Sequence, residues 1–69
     1  MNITYSQDVI ETAAQITKFV VGMGRVGNAR LLPDQWNNSL WGEVEFEASE
    51  RGLENSKEIA DAAVQEFGR

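Results

Sequence analysis

Gly22-Met23-Gly24-Arg25-Val26-Gly27 sets three glycines in a G-x-G-x-x-G spacing behind the apolar run Phe19-Val20-Val21. Residues spaced this way can hold a phosphate, because backbone N–H groups in a turn without side chains converge on an anion. Arg25 inside the run and Arg30 just beyond it would add guanidinium donors, which makes them candidate anion-binding residues. The spacing carries that meaning only where it closes a strand and opens a helix within a βαβ unit. Here Pro33 follows the last glycine by six residues and would stop such a helix before its second turn. A chain of 69 residues also lacks room for further βαβ units, at about 30 residues each. The run is therefore expected to be a glycine-rich connector between helices, with its arginines meeting the acidic second half. An anion- or nucleotide-binding module built on Gly22–Gly27 is the alternative.

The rest of the chain is poor in reactive groups. It has no cysteine and no histidine. That removes the thiol nucleophile, the imidazole base and the thiolate–imidazole zinc site. Carboxylates, Tyr5, Lys18 and Lys57 are the titrating side chains left besides arginine. A carboxylate pair for glycoside chemistry needs a cleft and a raised pKa, which three short helices scarcely provide. No D-x-[DN]-x-[DN]-G calcium loop occurs. The expectation is a non-enzymatic protein with no catalytic, metal-binding or cofactor-binding residues.

What the sequence offers instead is surface for contact. Trp36, Trp41 and Phe46 are five residues apart, so on a helix they spiral around the axis and cannot all enter one small core. Large aromatics left over from a core are the side chains that anchor protein interfaces. Glu43, Glu47, Glu50 and Glu54 recur at helical spacing beside them, with Arg51 placed to pair with Glu47 one turn on. Trp41, Phe46, Glu43, Glu47 and Glu50 are accordingly the predicted partner-binding residues, the aromatics supplying contact area and the carboxylates favouring a basic surface. Direct nucleic-acid binding is not expected. A recognition helix opening at Asn55-Ser56-Lys57-Glu58 would lie in a segment that phosphates repel.

Three helices must position these residues. Ser6 reads as an N-cap, Asp8 as a first-turn acid, and Tyr5 with Ile10 as a hydrophobic staple. From there Val9, Ile10, Ala13, Ala14, Ile16, Val20 and Met23 recur at three- and four-residue steps, which predicts a helix over about 7–23. Its apolar arc of roughly 200° is wider than a one-sided surface helix needs, so cover from two directions is expected. Pro33 and Asp34 open a second helix over about 33–51, closed by Arg51-Gly52-Leu53 with Gly52 left-handed and Leu53 folded back near Ala48. Glu43-Val44-Glu45-Phe46-Glu47-Ala48 also alternates with the period of a strand, so a short strand at 43–48 in an α+β fold is the alternative. Asn55 with Glu58 suggests a capping box for a third helix over about 56–67.

Size and charge complete the expectation. The formal charge is −5, with residues 1–33 at +1 and residues 34–69 at −6. An acidic half suits a basic partner, and also serves solubility. The first residues lack a basic and apolar leader, and the longest apolar run falls far short of the ~20 residues that span a bilayer. A soluble, cytoplasmic protein is expected, with no membrane contact. Without disulfide or metal, so small a domain is expected to gain stability by association. The sequence is thus read as one all-α three-helix domain over 1–69, an intertwined or side-by-side homodimer. Its expected role is that of a small regulatory or inhibitory accessory protein, of the kind viruses and mobile elements encode. A purely structural assembly subunit is the other possibility.

Overall fold

The computed structural model describes residues 3–27 and 32–69, which form three helices, α1 (Gln7–Gly22), α2 (Pro33–Glu50) and α3 (Ser56–Phe67). Ser6 starts α1 as its sequence context predicts, its Oγ accepting the Val9 N–H at 3.3 Å. The helix stops because Gly24 adopts φ +71°, a conformation that glycine enters without a Cβ clash. Two backbone bonds then close the end: Gly24 N–H to the Val21 carbonyl and Arg25 N–H to the Val20 carbonyl, both at 3.0 Å.

The second helix begins at Pro33, whose missing N–H is no loss in a first turn. Gln35 reaches back to accept the Leu32 N–H at 3.1 Å, while Leu32 has no side-chain acceptor to return. Its end repeats the device that ends α1. Gly52 sits at φ +80°, and Gly52 and Leu53 donate to Ser49 and Ala48 at 3.0 Å each. The strand alternative at 43–48 is overturned, since these residues lie wholly within α2. Val44 is fully buried and Phe46 is 56% exposed, on different sides, as a helix demands of residues two apart. The i,i+4 series Trp36, Leu40, Val44, Ala48 is the periodicity that the core uses.

One cap forms differently from expectation. Asn55 stands at the N-cap of α3 as expected, its carbonyl accepting the Ile59 N–H at 3.0 Å, but its side chain does not cap the helix; its Nδ2 donates instead to Glu58 Oε1 at 3.1 Å. The acidic partner competes for the Asn55 side chain, and the reciprocal box does not close.

All three helices pack against one another. Ala13, Ile16 and Val20 from α1 meet Leu40, Val44 and Ala48 from α2 and Ile59, Ala60, Ala62 and Ala63 from α3, with Val26 and Trp36 at the edge. The alanines of α3 let its backbone lie close to its neighbours. The radius of gyration, 11.0 Å, matches the ~11 Å of a fully collapsed chain of this length. The core closes within one chain, with α1 packed against both α2 and α3. What stays uncovered is the rim of α1: Phe19 and Val21 are 40% and 44% exposed.

Both flanking segments are fastened by side-chain amides. Gln65 bonds the Ile3 carbonyl at 2.6 Å and the Ile3 N–H at 3.1 Å. Asn37 likewise bonds the Arg69 N–H at 2.8 Å and the Arg69 carbonyl at 3.1 Å. Gly68 makes the second contact possible, because a Cβ there would strike the Val64 carbonyl and lie 2.8 Å from Asn37 Oδ1.

Candidate protein-docking face

Phe19 near the end of α1, Arg25 just past it, and Glu43, Phe46, Glu47 and Arg51 on and after α2 come together on one side of the molecule. Glu47 is the centre. Its Oε1 accepts from Arg25 Nη1 at 2.8 Å and its Oε2 from Arg51 Nε at 2.9 Å. Arg25 also donates through Nε to Glu43 Oε1 at 2.9 Å. Each arginine then covers an aromatic ring, Arg51 at 5.1 Å from the centroid of Phe19 and Arg25 at 5.8 Å from that of Phe46. The result is a ladder of ring, cation, carboxylate, cation and ring, with Glu47 only 16% exposed in the middle.

The electrostatics follow from that order. Hydrogen bonds from Arg25 and then Arg51 hold the Glu47 carboxyl below the usual carboxylate range. The bonds that Arg25 donates to Glu47 and then to Glu43 raise its guanidinium above the ordinary value. Both arginines are paired with carboxylates of α2, which leaves Glu50 as the unpaired charge among these residues. Glu43 lies one turn before Phe46 and Glu50 one turn after it.

Of the residues predicted for partner contact, Phe46, Glu43 and Glu47 are brought together here, with exposed Glu50 beside them. Trp41 belongs elsewhere. It is half-buried against the core, and its indole Nε1 donates to Asp61 Oδ1 of α3 at 2.6 Å. Glu43 and Glu47 are also less available than the sequence implies, since Arg25 and Arg51 occupy them. Glu54 leaves the acidic stripe because α2 ends at Glu50. Arg25 meets the acidic half as the connector reading expects, and Glu47 pairs with Arg51 as their spacing implies. Their gathering with Phe19 and Phe46 on one face was not foreseen, because the ring contacts join residues that are distant along the chain.

The glycine run lies at a cleft of about 490 Å³ lined by Val21, Gly24, Arg25, Val26, Gly27, Trp36 and Arg69. Its amides are largely spoken for. Gly24 and Arg25 close the end of α1, and Gly27 N–H donates to Ser39 Oγ at 3.1 Å. Arg25 points to two carboxylates, while Arg30 lies outside the described residues. The Arg69 guanidinium rests 4.4 Å over the Trp36 ring. Among the described residues no cluster of acidic side chains is placed to hold a metal ion, and no helix is long and apolar enough to cross a membrane.

Comparison with protein-family models, with curated proteins and with solved structures returned no match.

Proposed function

We propose that this protein is a non-enzymatic interaction module, a small accessory protein that regulates or inhibits another protein by docking on it through the Phe19–Phe46 face. The observation that carries the reading is the arginine–glutamate ladder holding two phenylalanines in place at the surface, with Phe46 56% exposed. Burying such a side chain is worth about 1.5–3 kcal/mol, which a partner would gain and the isolated chain forgoes. Rings already fixed against guanidinium groups also lose little freedom on binding, so more of that gain survives as affinity. A module with no thiol or imidazole would act by occupying its partner's surface rather than by chemistry on it. The anion-binding alternative is weakened by the amides and the arginine already engaged within the fold.

Affinity capture from the source cells, run in parallel with the wild type and Phe46→Ala, tests the reading. A discrete protein should be retained by the wild type and lost with the variant, while both show the same melting temperature. Equal capture by the two, or capture of nothing by either, would overturn it.

A further inference from the structure

We infer that the occupant of the Phe19–Phe46 face is a cationic, amphipathic segment of a different protein and not a second copy of this chain. The inference rests on the docking reading above and adds the chemistry of the partner. Its basis is the distribution of paired and unpaired charge. Among the described residues, ion pairs engage only Glu43 and Glu47, and they do so with the two arginines beside the rings. Every other Asp or Glu side chain described lacks a cationic partner among the described residues, in a chain with net charge −5. Glu50 is one of these, on the turn that follows Phe46, and Glu43 retains a second oxygen on the turn before.

A second copy would bring this arrangement against itself. A two-fold contact sets the same patch on both sides, and since Arg25 and Arg51 are already paired with Glu43 and Glu47, the patch brings no unpaired cation to set against Glu50 of the other copy. Like charges opposed across an interface disfavour that pairing. Lysine or arginine side chains on a partner meet the opposite situation. They find carboxylates flanking an exposed ring, and a cation can stack on the ring as Arg25 already does. Apolar side chains from the same segment would cover Phe19 and Phe46. Gly42, exposed and with nothing within 4 Å of a Cβ built on it, leaves the turn before Phe46 open to close approach.

The experiment pairs sedimentation of the purified chain with an NMR titration. The probes are two synthetic helical peptides with one leucine face, the other face bearing lysines in one peptide and glutamates in the other. The result expected is a monomer that binds the lysine peptide saturably, with shifts centred on Phe19 and Phe46. Phe46→Ala should weaken that binding about tenfold, the scale of an interface anchor, and Glu50→Gln should weaken it severalfold. The glutamate peptide should not bind. Binding of the lysine peptide that is indifferent to Phe46→Ala would reduce the effect to diffuse attraction by net charge and overturn the inference. A wild-type dimer dissolved by Phe46→Ala would also overturn it, while leaving the face itself as a docking surface. Absence of peptide binding by a monomeric chain would refute the cationic partner alone, since the capture experiment tests the face independently.

Discussion

Val44 and Phe46 stand two positions apart on α2, one fully buried and the other largely exposed, and their substitutions should separate stability from association. Val44→Ala opens a cavity among Leu40, Ala48 and the facing helices and should cost about 2 kcal/mol in denaturant unfolding. Phe46→Ala should cost less than about 0.5 kcal/mol, the usual range for surface changes. Equal losses would place Phe46 in the core and contradict the geometry. Thr17 gives a second test at this scale. It is buried on α1, and its Oγ1 has no hydrogen-bond partner. Thr17→Val keeps the shape and removes the unsatisfied hydroxyl, so the variant should be more stable by about 1 kcal/mol. A less stable variant would mean that the hydroxyl is satisfied in solution. The periodic pattern identified Phe46 as surplus to the core because helical spacing is a local property. The contact of Trp41 with Asp61 was not legible, because it depends on how α3 docks, which spacing along α2 does not encode.

At the scale of the elements, both positive-φ glycines perform one task, ending a helix and turning the chain toward the next. Gly24→Ala and Gly52→Ala should each cost about 1–2 kcal/mol, since a Cβ in the left-handed region meets the following carbonyl. Chemical denaturation of the two variants checks this, and a loss-free variant would show that the turn is not confined to that conformation. Gly24 matters beyond stability, because the turn it allows delivers Arg25 to Glu43 and Glu47. Most helix boundaries were legible in the sequence because Ser6, Pro33 and Gly52 act within a turn of where they stand. The Asn55–Glu58 cap was not, because a side-chain contact displaced the backbone one. The alternation at 43–48 left a strand open as an alternative for a different reason. It coincides with the i,i+4 step that buries Val44 and Ala48, and only the packing of the whole helix distinguishes the two.

For the whole molecule, the central carboxylate predicts a pH response. Glu47 is held below the ordinary glutamate value, so the stability it contributes is fully present above about 4.3, the value in an unfolded chain. That contribution is lost as the pH falls through the lower folded value. Glu47→Gln should therefore flatten the part of the acid-side decline in melting temperature that begins below about pH 4.3. An unchanged profile would show that the ladder does not persist in solution. The joining of Phe19, Arg25 and Arg51 to Phe46 could not be read from the sequence, because it arises only when α1 lies beside α2.

Photo-cross-linking tests the central claim most directly. A photoreactive phenylalanine analogue in place of Phe46, expressed in the source cells, should form an adduct with one discrete protein. The same analogue in place of Lys57, exposed on α3, should not. Adducts that are equal at the two positions, or absent at position 46, would contradict a docking face built around Phe46.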